Sequence, residues 1–219
     1  SLDDFLQTYC LGPLDFAPGT QFRYNNADYV VLTKIIETVT GQSWPAALQA
    51  QILDPLNMRD TGVIDEQTDL QDVAASYYTE DGTTYTPDPA YYAENYFGGG
   101  AMYSTIDDLL RFERALRGTQ LLSDEAKALM QQPNPQFNGV AYGTFVSEQP
   151  IADKLVRTSE RWGSTWGSSS TFVQFLDDDR AIILLANTNN IQQSDTYRLR
   201  NELMNVLYAD PVASVDEGR

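Results

Sequence analysis

Not one histidine occurs in the 219 residues of this chain. That excludes a Ser-His-Asp or Cys-His arrangement built within it, and it removes the commonest metal ligand. Cysteine is nearly as scarce: Cys10 stands alone, so neither an internal disulfide nor a cysteine zinc site can form. Lysine occurs only as Lys34, Lys127 and Lys154. Hydrolytic chemistry is thereby confined to Lys, Tyr, carboxylates or a metal held by carboxylates alone, and neither a metal nor a cofactor is expected. No apolar run approaches the roughly 20 residues of a membrane span, and no charged-then-apolar leader opens the sequence. Positive charge is short as well. Against 31 acidic residues stand 14 basic ones, a net charge of −17. Such a field repels nucleic acid and anionic membrane surfaces.

What is present suffices for a core. The chain is 42% hydrophobic and 11% aromatic, enough for one large or two small domains. Ser1 to Leu6 reads as a capped helix start with Leu2, Phe5, Leu6 and Tyr9 on one side. Pro18-Gly19 fits the centre of a turn, and Phe22 and Tyr24 alternate with polar residues in a short extended run. Asn26 is placed as an N-cap. From Ala27 to Thr40, Val31, Leu32, Ile35, Ile36 and Val39 recur at helical spacing and predict a buried helix ended by Gly41. Ser43 caps a short helix to about Ile52, and Pro55 to Thr61 breaks and turns. Residues 62–97 form a long connection ending in tyrosine-rich sequence from Tyr77 to Phe97. It reads equally as an ordered wall or lid and as a hydrophobic cover over a core edge. Gly98-Gly99-Gly100 lets the backbone pass close to a neighbour. Thr105-Ile106-Asp107-Asp108 is a capping box in its Asp form, and Ile106, Leu109, Leu110 and Leu116 are its predicted buried face. Ser123 caps a shorter helix that stops before Pro133.

The last third changes character. Residues 140–148, 154–158, 170–176 and 180–187 read as strands, the last two joined by Asp177-Asp178-Asp179. The continuous apolar run Ala181 to Ala186 predicts an interior strand buried on both faces. From about Gln193 to Tyr208 an amphipathic helix carries Leu199, Leu203, Val206 and Leu207 and should cover one sheet face. The expectation is an α+β chain: a helical region over 1–135, sheet strands with a closing helix over 136–208, and a polar tail over 209–219.

Tyr24 and Asn26 put a phenol and an amide on a loop held by a helix, a setting suited to a site. The same residues also read as a core aromatic and a cap. Three further pieces accompany them: Pro55-Leu56-Asn57-Met58-x-Asp60-Thr61, Gly98-Gly99-Gly100 with Ser104-Thr105-x-Asp107-Asp108-Leu109, and Trp162-Gly163-Ser164-x-x-Gly167. In this order and spacing the set resembles the serine β-lactamase and penicillin-binding-protein family, in its branch of related carboxypeptidases and esterases. The resemblance covers nearly all of residues 1–208. It implies a transpeptidase-like fold, an antiparallel sheet flanked by helices plus a helical region, and acyl-enzyme chemistry on an ester, amide or β-lactam. Tyr24 and Asn26 match the family's Tyr-x-Asn motif and are the candidate catalytic residues. Trp162, Gly163 and Ser164 stand at the third motif, and with Tyr96 and Gly99 they are the candidate substrate-binding residues.

Two departures qualify the match. The family's Ser-x-x-Lys is missing, because Val31, Asp124 and Ile151 stand three places before the lysines. A serine hydroxyl needs such a base to become a nucleophile. The expectation is that the N-terminal strands and the nucleophile helix lie outside this chain, which is then inactive alone. An upstream segment or a second chain would supply them, and a small-molecule or peptide substrate would follow. Trp162 also stands where a cation or imidazole is usual, which favours esters or amides over penicillin-like substrates. The competing expectation is a non-catalytic member that binds a peptide or partner. Family resemblance implies an exported or periplasmic location.

Overall fold

The first helix, α1 (Leu2–Tyr9), begins at Ser1, whose hydroxyl accepts from the Asp4 amide in a reciprocal capping box. A computed structural model describes residues 1–65, 68–69, 71, 73–88, 93–100, 102–165, 167–189 and 194–209. Helix α2 spans Asn26–Thr40 and ends on Gly41 in the left-handed conformation. Helix α3 (Trp44–Leu48) runs into a π-helical turn (Gln49–Leu53) and then α4 (Asp54–Leu56), stopped by Asn57 at φ 56°. Pro55 thus lies inside the helical stretch rather than breaking it. Short strands β1 (Gly62–Val63), β2 (Tyr77–Tyr78) and β3 (Thr86–Pro87) precede a 3₁₀ segment, Ala93–Gly99, and then β4 (Met102–Tyr103). Helices α5 (Ile106–Arg117) and α6 (Asp124–Met130) follow. The chain closes with β5 (Phe145–Ile151), β6 (Lys154–Ser164), β7 (Ser169–Phe175), β8 (Ala181–Ala186) and α7 (Ser194–Tyr208). The tail expected at 209–219 lies outside the described residues beyond Ala209, as do Tyr91 and Tyr92 of the tyrosine-rich stretch.

Two compact units result, one of residues 1–75 with 89–127 and one of 76–88 with 128–219. In the first, Leu53, Leu56, Met58 and Ala115 form the core, with Leu48, Ile52, Phe112 and Leu121 packed on it. Here α2 departs from expectation. Its buried residues are Val30 and Thr33, whereas Val31, Leu32, Ile35, Ile36 and Val39 are all exposed, Val39 by 75%. The face of α2 turned inward is the one that meets the 93–99 segment. In helix α5 the departure is smaller: Ile106 of the expected face is exposed, Leu109, Leu110 and Leu116 are half-buried, and the fully buried residues are Asp108, Glu113 and Ala115.

The second unit is built on an antiparallel sheet in the order β5-β6-β7-β8. Strand β5 starts at Phe145, five residues later than expected from residue 140, and β6 runs on past Thr158 to Ser164. Ile151, Val156, Val173, Phe175 and Ile182 pack with Met204 and Tyr208 of α7. The helix therefore docks through Arg200, Met204 and Tyr208, spaced four apart. Leu199, Val206 and Leu207 face away from that contact and are exposed. The Tyr208 hydroxyl donates to Asp178 (2.5 Å), and burial with that carboxylate beside it raises the phenol's pKa. Strand β8 was expected inside the sheet. It lies at the edge, paired only with β7 among the described strands, and Leu185 is exposed.

Candidate active site

The loop before α2 is set by its turn. The Thr20 amide and hydroxyl both donate to the Ala17 carbonyl (3.1 and 2.7 Å), and Gly19 takes φ 79° between them. A positive φ at that position is open to glycine at little cost. Arg23 pairs with Asp15, closing the loop. Tyr24 is 46% exposed and its ring lies 6.1 Å from that of Tyr29. Asn25, not Asn26, caps the helix: it is extended at φ −144°, and its side chain accepts from the Ala27 amide at 2.9 Å. The geometric reason is that the capping residue must still be extended while its neighbour has already entered the helix. Asn26 is the first helical residue, exposed, and makes no side-chain hydrogen bond to a described residue.

The glycine triplet comes to this same loop. A Cβ built on Gly99 would lie 3.6 Å from both the Asn26 carbonyl oxygen and the Tyr29 Cβ, and one on Gly100 would lie 3.6 Å from the Tyr96 Cβ. Tyr96 is exposed. The first unit thus gathers Tyr24, Asn26 and Gly99 around the start of α2, with Tyr96 on the segment that Gly99 ends. Neither lysine of this unit is placed to serve them as a base. Lys34 lies 2.7 Å from Asp3, and that hydrogen bond raises its pKa, the wrong direction for a proton acceptor. Lys127 is tied to Asp124 (2.8 Å) and to the Arg117 carbonyl (2.9 Å).

Asp60-Thr61 of one matched motif and Ser104 to Asp108 of another serve a different end. Asp108, wholly buried, accepts from the Asp60 amide (2.8 Å), the Thr61 hydroxyl (2.8 Å) and Arg111 (2.5 Å). Thr61 and Ser104 hydroxyls lie 2.7 Å apart, and Thr105 caps the Asp108 amide at 3.3 Å. The Asp-Thr of one motif and the Ser-Thr-x-x-Asp of the other are halves of one knot. The capping-box reading found Thr105 but missed the long-range partners of Asp108. The pairing of Asp60-Thr61 with a residue almost fifty positions away has no local signal.

In the second unit Trp162, Gly163 and Ser164 end β6. They pair with Thr171, Ser170 and Ser169 of β7, while β5 stops opposite Glu160. The last four residues of β6 therefore have one strand neighbour among the described residues. Trp162 is 47% exposed, stacked on Phe145 (5.1 Å) and edge-on to Tyr197 (6.4 Å). Arg200 lies over the Tyr197 ring at 4.9 Å but is committed to Glu160, buried with it and with Thr158 and Gln149 bonded alongside. Around Gly163 a Cβ would meet only the Ser170 hydroxyl, at 3.2 Å. Gly167 is the crowded glycine of this motif: a Cβ there would come within 2.8 Å of Asp88 and Ser76 atoms. It makes room for the 76–88 arm, whose Tyr77 amide donates to the Gly167 carbonyl.

Residues 2–204 match the family model described as Beta-lactamase. Esterase EstB of Burkholderia gladioli is 27% identical, aligned over 95% of this chain and 59% of its own length. Penicillin-binding protein 4* of Bacillus subtilis (strain 168) is 26% identical over 78% of this chain and 41% of its own. The chain thus spans about half the length of these relatives. Among solved structures, D-amino acid amidase from Ochrobactrum anthropi SV3 superposes with TM-score 0.77 at 20% identity, over 94% of this chain and 62% of that one. No helix among the described residues is long and apolar enough to cross a membrane.

Proposed function

This chain belongs to the beta-lactamase family, and from that membership we propose that it is part of a serine hydrolase acting on esters or amides through an acyl-enzyme. The observation that carries the reading is the division of labour between two adjacent asparagines. Asn25 does the capping, which leaves the Asn26 amide, at the third place of Tyr-x-Asn, without a hydrogen bond to a described residue. The names of EstB and of the D-amino acid amidase point to esters and amides.

In the proposed reaction a serine and a lysine outside this chain form the nucleophile pair. The serine oxygen attacks the carbonyl carbon as the lysine accepts its proton. Tyr24 passes a proton to the departing alkoxide or amine, and water then cleaves the acyl ester. Asn26 donates its side-chain N–H to the substrate's carbonyl. The sheet unit contributes Trp162, Gly163 and Ser164, on strand positions whose outer edge can take an extended substrate. An aromatic first residue suits a neutral acyl group better than a carboxylate.

The same reading includes a partner segment, upstream or on a second chain, and an exported or periplasmic location. Support for the segment comes from β8, an apolar strand with one paired edge among the described strands, and from the exposed aliphatic face of α2. Unpaired edges recruit strands, and covering an aliphatic side chain fully is worth about 1.5–3 kcal/mol.

Intact-mass spectrometry with a fluorophosphonate probe tests the proposal. The complete protein should gain one adduct on a serine outside this chain, and this chain alone should gain none. An adduct lost on mutating one of this chain's own serines would show the nucleophile to be misplaced. No adduct and no ester turnover in the complete protein would favour a non-catalytic binding member.

A further inference from the structure

Thr33 is a polar residue inside the apolar run of α2, and it is 99% removed from solvent. Its hydroxyl is used twice. It donates to the Tyr29 carbonyl one turn back (2.7 Å) and accepts from the Gly98 amide (3.1 Å). The first bond is common for threonine in a helix. The second is not local: it ties the glycine-rich segment to α2 at its second turn. Gly98 has to be glycine for this to happen, since a Cβ there would lie 2.6 Å from the Thr33 hydroxyl oxygen.

The segment so held is strained. Phe97 takes φ 46°, ψ −137°, a conformation that a bulky side chain adopts only when its surroundings impose it. Two contacts impose it on either side: the Gly98 bond to Thr33, and the edge-on packing of the Phe97 ring against Phe5 at 6.1 Å. The next residue, Gly99, is thereby laid against the Asn26 carbonyl and Tyr29. Released from Thr33, Phe97 would relax toward an ordinary backbone conformation, and Gly99 and Tyr96 would leave their places by the loop.

We infer that Thr33 is a positioning residue, whose hydroxyl fixes the Tyr96–Gly100 segment against the Tyr24–Asn26 loop and so sets the substrate-binding wall beside Asn26. Thr33 is buried beneath that wall and acts only through Gly98. The inference rests on the hydrolase reading for its functional part and on geometry alone for its structural part.

The test uses the complete protein carrying Thr33→Val, which keeps the shape and removes the hydroxyl, and Thr33→Ser, which keeps the hydroxyl. Thr33→Val should raise KM for a neutral ester about tenfold, the scale of one buried hydrogen bond, with kcat within about twofold. Hydrogen exchange of the peptide containing Gly98 should become faster. Thr33→Ser should restore both. Gly98→Ala, which crowds the hydroxyl without altering α2, should reproduce the rise in KM should Thr33→Val fold poorly. Unchanged Gly98 exchange in Thr33→Val would overturn the latch. Faster exchange with unchanged KM would overturn its positioning role. An inactive wild type would overturn the hydrolase reading and the positioning role with it, while Gly98 exchange would report the hydrogen bond separately.

Discussion

The N-termini of α2 and α5 carry nearly the same kind of sequence and use it in opposite ways. Each has a capping side chain followed by small polar residues, and each belongs to a motif shared with the family. At α5 the polar groups turn inward: Asp108 has no exposed surface and three donors around it. At α2 a single asparagine completes the cap, and the amide beside it stays exposed without a described partner. A polar motif whose hydrogen bonds close on themselves holds the fold together. One that leaves a donor over, on a loop pinned by a turn and an ion pair, has something to offer a ligand.

That contrast breaks first at Asp108. Asp108→Ala should cost about 3 kcal/mol or more, because it strands buried donors from the 60–61 loop. Denaturant unfolding measures it, and the surviving folded protein should retain near-normal KM. A loss under about 1 kcal/mol would mean the knot is not structural. Tyr24→Phe comes next. In the complete protein it should lower kcat for an activated ester by about 10²-fold, the scale of an acid–base group, with little change in Tm. Unchanged turnover together with a lower Tm would return Tyr24 to a packing role. The finest cut separates the two asparagines. Asn25→Ala should cost about 1 kcal/mol of stability, while Asn26→Ala should leave stability within about 0.5 kcal/mol and reduce kcat/KM instead. The reverse pattern would restore Asn26 as the cap.

Much of this was legible in the chain. Ser1, Thr105 and Ser123 mark real helix starts, Gly41 a real helix end, and the sheet strands fall near their expected places. The errors share a cause. Val31 to Val39 and Ala181 to Ala186 have the patterns of buried elements, yet the aliphatic residues of the first are exposed, and the second, though Ile182 sits in the core, lies at the sheet edge among the described strands with Leu185 exposed. Periodicity reports that an element is made to be covered; it carries no information on whether the cover lies within the same residues. Asn25 and Asn26 are equally good caps by composition, and only the backbone angle at position 25 decides between them. Thr33 was invisible for a third reason. Its partner is a backbone amide, and backbone amides leave no trace in side-chain patterns.

The arm at 76–88 belongs to the sheet unit although the chain on both sides of it belongs to the helical one. The polypeptide therefore passes from one unit to the other at 75/76, 88/89 and 127/128. With three passages, no single cut yields two whole units. A fragment ending at 127 would carry the arm away from Gly167, whose missing side chain exists to admit it. Gene fusions that recombine at one point in this region would inherit a sheet unit that lacks the arm bonded to the β6–β7 turn and to the residues just past β8. The two halves of this architecture are thus constrained to be inherited together, and a stand-alone sheet module would have to be built by permuting the order of the chain.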